Sequence, residues 1–297
     1  MVAEVGRVWN AAAGAAIPYE LQRHYAPAMS IRFELPAEHP HVALVTIDRP
    51  AAANSLDPPT LTALADAWRR IAADDDIRGV VLTGAGERVF CSGMDMKRTI
   101  PVSQALARNE KIDPEDFEGL RNVQTALLAG FDLATPLVCA INGHCRAGGF
   151  DMMLAAELRF AAPHATFALE EVALGLYPTG NTTVLLARQN PWVHAQELAL
   201  TARPIDAERA AAVGLLNEVV AAERVLDRAF EAADAIAANA PLAVRRTRQG
   251  LRELQDLSWA DGYRRQEELG APLRKTRDAA EAQRAFVEKR RPVFEGR

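Results

Sequence analysis

The chain has 297 residues and a formal net charge of −5; 49% of its residues are apolar and 25% charged. That balance excludes an intrinsically disordered chain, allows one sizeable domain plus an appendage, and leaves no overall basic surplus for gripping nucleic acid or an anionic membrane. Cys91, Cys139 and Cys145 are an odd set without C-x-x-C spacing, which argues against a disulfide framework or a zinc cluster and fits a reducing, cytoplasmic compartment.

In chain order, residues 1–29 hold one mild apolar run, "AAAGAAI", behind only Arg7. It is too short to span a bilayer and lacks the basic start of a secretion signal, so the segment reads as an N-terminal arm. "IRFEL" and "VALVTI", separated by "PAEHPH", predict an antiparallel pair of strands. A helix follows from Asp57, with proline in its first turn and Leu61, Leu64, Ala65 and Trp68 on one stripe. "RGVVLTG" predicts a buried strand, "EGLRNVQTALLAGFDLA" a helix, and "PLVCAIN" another buried strand. This alternation predicts α/β architecture with largely parallel strands. Beyond residue 185 the pattern turns helical, through "WVHAQELALTA", "DAERAAAVGL", "AERVLDRAFEAADAIAANA", "PLAVRRTRQGLRELQ" and "DAAEAQRAFVEKR", with one short strand at "LNEVV" and a soft boundary near residue 220.

Three stretches could carry chemistry. In "LTGAGERVFCSGMDMK" the third glycine of a dinucleotide fingerprint falls at Val89, so that motif fails. A strand leading into a turn at Ser92-Gly93 remains, with Gly93 needed either for a positive φ or for close approach of backbone to a ligand. In "INGHCRAGGFDMMLAAE", Gly148 and Gly149 open a helix that is apolar apart from Asp151, and the free amides of its first turn suit a phosphate or a transient oxyanion. Asp151 is either a first-turn carboxylate complementing the helix dipole or a functional acid in a greasy wall. If "TFALEEV" is extended, Glu171 shares a face with Phe167 and Leu169, while Glu170 faces the other way as the solvated neighbour. G-x-S-x-G and H-E-x-x-H do not occur, and no metal site is expected. Cys91 and Cys145 read as packing and His144 as structural.

Taken together, "VALVTIDRPAAANSLD", "RVFCSGMDMK", "INGHCRAGGFDMMLAAELRFAAPHATFALEEVALGLYPTGN" and "AFVEKRRPVFEGR" resemble, in the same order, segments of the enoyl-CoA hydratase/isomerase family, also called the crotonase family. The resemblance implies a spiral of ββα units over residues 30–220 that holds an acyl-CoA site. It also implies a C-terminal helical region, 221–297, engaged in oligomerisation and closure of the CoA pocket, and assembly as trimers or pairs of trimers. Coenzyme A enters as part of the substrate, with no tightly bound cofactor. By motif position, the amides of Met94 and Gly148 would polarise the thioester carbonyl. Glu171 would be the principal acid/base, and Asp151 would hold or activate water. Ala52, Ala53 and Asn54, Asp95 and Met96, with Lys97 and Lys289, match places where the family holds the CoA moiety. Asp151 stands where the family's hydratases carry glutamate, one methylene longer, a difference of about 1.5 Å in reach. Aspartate followed by glutamate is also the dienoyl-CoA isomerase pattern, but the further aspartate of that pattern is Thr179 here. Hydration is therefore the leading reading, with double-bond isomerisation and non-catalytic acyl-CoA binding as alternatives.

Overall fold

A computed structural model describes residues 30–297; the expected N-terminal arm lies outside them. The chain opens with the expected antiparallel pair, β1 (Ile31–Glu34) and β2 (Val42–Ile47). Helix α1 (Pro58–Ala72) starts where its signals put it: the Asp57 carboxylate accepts the Thr60 amide at 3.0 Å, and Leu61, Leu64, Ala65 and Trp68 are all buried. The chain then coils, and each turn leaves one long strand and one short one. The long strands are β3 (Gly79–Gly84), β5 (Leu137–Ile141) and β7 (Leu158–Ala161); the short ones are β4 (Val89–Cys91), β6 (His144–Arg146) and β8 (Thr166–Ala168).

With β10 (Glu218–Val219), the long strands extend the opening pair into a six-stranded sheet of order β1-β2-β3-β5-β7-β10, parallel apart from β1. The short strands form a second sheet of order β4-β6-β8-β9, with β9 (Ile205–Asp206) closing it antiparallel. The long strands are mostly apolar, Thr83 in β3 and Arg159 in β7 apart, because both of their faces are covered. Along β5, Leu137, Cys139 and Ile141 point into a main core shared with α1, whereas Val138 and Ala140 meet Val225, Ala229 and Ala233 of helix α9 (Val225–Ala237) on the other face.

Between β4 and β5 lie α2 (Thr99–Ala107), α3 (Pro114–Arg121) and α4 (Val123–Ala126). The single helix expected across residues 118–134 is thus broken at Asn122, and the chain turns through a left-handed Leu128. Helix α5 (Gly148–Ala155) is buried along its whole length. It is followed, after β8, by α6 (Thr182–Gln189), α7 (Trp192–Thr201) and α8 (Ala207–Ala212). Past α9, the helices α10 (Pro241–Glu253), α11 (Trp259–Gly270) and α12 (Arg277–Glu288) complete the chain. Because α9 covers a sheet face, packing runs straight across residue 220; α10 is then tied back through Arg248, which bonds Asp132 at 2.6 Å and Glu157 at 2.9 Å. Among the described residues no helix is long and apolar enough to cross a membrane, and no cluster of three or more histidine, cysteine or acidic side chains could hold a metal ion.

Trp68 is fully buried, and its indole N–H donates to Ala126 O at 2.9 Å, joining α1 to the end of α4. Trp68→Ala should therefore lower stability by about 3–5 kcal/mol, read as a fall in the urea midpoint at unchanged slope. An unchanged midpoint would mean that this joint contributes nothing.

Candidate active site

The short sheet determines where the functional groups meet. Its register sets Cys91 beside Cys145, Cys145 beside Phe167, and Arg146 beside Ala168. The carboxyl ends of β4, β6 and β8 therefore lie side by side, and the turns leaving the three strands emerge at one place. Met94 comes three residues after β4, Gly148 two residues after β6, and Glu171 three residues after β8. Asp151 lies one turn into α5, the helix that continues from β6.

The first two turns are packed against each other. Gly93 has φ +87°, and a β-carbon there would sit 2.7 Å from the Ala147 methyl and 3.1 Å from the Gly148 nitrogen. Gly93 thus meets two demands at once: it needs a positive φ, and it lets two backbones approach. Ala147 itself is held at φ 44°, ψ −117°, a strained conformation for a residue with a side chain, while its amide donates to Ala168 O at 3.2 Å. The result is that the Gly148 amide, first in α5, has no acceptor within its own helix. Met94 forms a parallel bridge with Leu56 that uses the Leu56 amide to Gly93 O at 2.8 Å and the Asp95 amide to Leu56 O at 3.0 Å. The Met94 amide takes no part in that bridge.

The two acids differ in their surroundings. Asp151 is 3% exposed, and its Oδ1 accepts the Thr182 amide at 2.8 Å and the Thr182 hydroxyl at 2.9 Å. Burial pushes its carboxyl above the ordinary value despite those bonds from Thr182. Glu171 does not continue a strand as its alternation suggested. The chain leaves β8 after Ala168, and Glu171 opens a 3₁₀ turn, Glu171–Leu174. Its carboxyl still enters the apolar wall: Oε2 is buried and has no hydrogen-bond partner among the described residues. Burial, reinforced by the nearby charges of Asp151 and Glu170, raises its pKa above 4.5. Glu170 is the more exposed neighbour, as its alternation suggested, and faces Arg146 at 3.7 Å.

The segments matched to CoA contacts fall into two groups. Residues 52–54 and 94–97 form one surface, joined by the Ser92 amide to Ala53 O at 3.2 Å and by the Leu56–Met94 bridge. Ala53 and Asn54 both adopt left-handed conformations. Asn54 is fully buried, its side chain bonding the Arg49 amide and the carbonyls of Ala85 and Val89 and its own amide bonding Arg49 O, so it holds the turn from within. The Asp95 side chain is likewise occupied. Burial raises its pKa, but the Lys97 amide, Ser55 and Arg49 outweigh that and hold it below the ordinary value. Met96 and Lys97 are exposed at the rim. Lys289 is placed with a different element, as the left-handed C-cap of α12, its amide on Phe286 O.

Residue-by-residue reading missed the groups that support these: Gly180, Asn181 and Thr182 around Asp151, and Arg49, which bonds Ser55, Asp57 and Asp95 beneath the Met94 turn. The stretch "TGNTT" does carry a helix-start signature, glycine followed by asparagine and threonines, and only the position of α6 reveals that Asp151 is its acceptor.

A carboxyl whose folded pKa is raised keeps its proton in the native state over a range where the unfolded chain has already lost it. Glu171 therefore weakens the fold as pH climbs from 4.5 through the raised value, and the full penalty stands above it. Glu171→Gln should be more stable than the parent protein at neutral pH, with the difference vanishing below pH 4.5. Denaturation midpoints at the two pH values check this, and a variant destabilised at neutral pH would contradict it.

A model of the enoyl-CoA hydratase/isomerase family matches residues 38–297. The (E)-benzylidenesuccinyl-CoA hydratase of Thauera aromatica is 38% identical over 256 residues, covering 86% of this chain and 96% of that protein. The enoyl-CoA hydratase EchA19 of Mycobacterium tuberculosis is 37% identical over 261 residues, 86% of this chain and 94% of that protein. The solved structure of enoyl-CoA hydratase from Bacillus anthracis superposes with a TM-score of 0.81 at 30% identity, covering 90% of this chain and all of that one. Sequence match, fold and the arrangement of strand ends agree: this chain belongs to the enoyl-CoA hydratase/isomerase family.

Proposed function

We propose that the protein adds water across the 2,3 double bond of an enoyl-CoA thioester. What carries this reading is that three adjacent strand ends lead into the turns of Met94 and Gly148, whose amides bond nothing in their own elements, and of Glu171, whose buried Oε2 has no hydrogen-bond partner among the described residues. Hydratase-named relatives at 37–38% identity support it and favour hydration over isomerisation or mere binding.

In this reading the thioester oxygen accepts from the Met94 and Gly148 amides. As electron density moves onto that oxygen, fixed donors stabilise the enolate more than the ground state, and each is worth about 10²–10³ in rate. Glu171 takes a proton from water as the oxygen bonds to C3, and a proton is delivered to C2. A raised pKa suits both halves of that task, because the acid form must give its proton back. Asp151 is the second acidic group beside it.

The backbone of Ala52–Asn54 and Asp95–Met96 would line the bent CoA moiety, and Lys97, exposed and in no ion pair among the described residues, would meet its phosphates. Lys289 would serve only if assembly brought α12 of one protomer over the site of another. Such assembly, as a trimer or a pair of trimers, is supported by large apolar side chains left exposed on the last helices, including Trp259 at 84% and Phe286 at 85%. Three buried free cysteines suit a reducing cytoplasm.

The test monitors loss of conjugated absorbance with crotonyl-CoA and longer enoyl-CoA thioesters. The parent protein should turn over at least one of them, with activity failing on the acid side as Glu171 is protonated, and Glu171→Gln should lose about 10³-fold in kcat. No turnover of any enoyl thioester would remove the hydratase assignment.

A further inference from the structure

Asp151 is bonded and packed by one short stretch of chain, residues 180–182. Its Oδ1 takes both the amide and the hydroxyl of Thr182. Asn181 Nδ2 donates to the Asp151 carbonyl at 3.0 Å and to Leu127 O at 2.8 Å. Gly180 closes the other edge, where a β-carbon would overlap Oδ2 and Cγ. The Thr182 amide is first in α6 and has no acceptor within its helix, so the carboxylate supplies a cap from another element. With Oδ1 committed twice to Thr182 and Oδ2 packed against Gly180, a side chain one methylene short of glutamate is badly placed to exchange protons with a substrate. The buried Oε2 of Glu171 has no hydrogen-bond partner among the described residues.

We propose that Asp151 is a positioning residue: through Thr182 it anchors the first turn of α6, and through its charge it acts on Glu171, which alone exchanges protons with the substrate. This rests on the hydratase reading and sharpens it. One water molecule then supplies both added groups. Its oxygen bonds to C3 while its proton passes to the Glu171 carboxylate, and the C2–C3 π pair moves into the thioester carbonyl. When the enolate collapses, the same carboxyl returns that proton to C2 and is restored, and Asp151 neither gains nor loses one.

The charges that bear on this pair are few. Against Asp151, β6 presents the thiol of Cys145, which burial keeps neutral, and the first turn of α6 presents only Thr182, Thr183, Val184 and Leu185. Against Glu171 stand Asp151 and Glu170, the latter drawn toward Arg146 of β6. On α7, which packs against the Glu171 turn, Glu197 is engaged by His194 and by Arg209 of α8.

The experiment compares kcat, KM and the pH dependence of kcat/KM for Asp151→Asn, Thr182→Val, Thr182→Ser and Glu171→Gln with crotonyl-CoA, each matched to the parent by melting temperature. Asp151→Asn keeps an acceptor for Thr182 and removes the charge. It should cost no more than about tenfold in kcat, short of the 10²–10⁴ lost with a general base, and should move the acid limb to lower pH. Thr182→Val should lower kcat several-fold at constant KM, and Thr182→Ser should restore it. An Asp151→Asn variant as inactive as Glu171→Gln, an unmoved acid limb, or a serine that fails to rescue would overturn the proposal. If the parent itself turns over no enoyl thioester, the hydratase reading fails; turnover by the parent with an inactive Asp151→Asn strikes the positioning role alone.

Discussion

The side-by-side pairing of three three-residue strands is the constraint on which the site depends. β4, β6 and β8 are too short to be stable by themselves, since a small set of ladder bonds cannot offset the backbone entropy of ordering them. They persist because Phe90, Cys91, Cys145 and Phe167 are buried in the main core together with α5. Hydrophobic burial thus fixes the register, and the register sets the turns of Met94, Gly148 and Glu171 at adjacent strand ends. The strain at Ala147, of order 1–3 kcal/mol, is the local cost of turning β6 straight into the buried helix α5.

Electrostatics at these strand ends follow from the same burial. An apolar helix and its apolar neighbours remove water from two carboxyls, which raises both pKa values, and the charge of Asp151 adds to the rise at Glu171. The chain gives the two acids unequal support. Thr182 donates twice to Oδ1 of Asp151, while Oε2 of Glu171 stays buried without a partner among the described residues. Unsatisfied buried polar groups are costly to folding, so the unpartnered Glu171 oxygen is held there at the expense of stability.

The legible part of this architecture was whatever repeats over several residues or announces its own ends. Helix α1 carried a cap, a proline and an apolar stripe; β3 and β5 were long enough to read as strands buried on both faces. The short strands had no room for a period, and β6 was absorbed into the glycine turn at its end. Alternation placed Glu171 on an apolar face for the wrong geometric reason, since a 3₁₀ turn rather than a strand carries it there. Glycines 93 and 148 stand out in the sequence because each follows a strand where backbones must approach closely, and Gly93 does adopt a positive φ against the Ala147–Gly148 turn. The partners of Asp151 were invisible because Thr182 lies 31 residues away, and nothing local pairs a helix-start threonine with an acid in the preceding helix. Lys289 matched by motif position, which says nothing of which protomer it would serve.

A structure of the protein with an unreactive enoyl-CoA analogue tests the central claim most directly. The thioester oxygen should lie within hydrogen-bond distance, about 2.7–3.2 Å, of both the Met94 and Gly148 nitrogens, with a Glu171 oxygen closer to C2 and C3 than either oxygen of Asp151. An oxygen bound to only one of the two amides, or an acyl chain that runs past Asp151 and leaves Glu171 out of reach, would contradict the account.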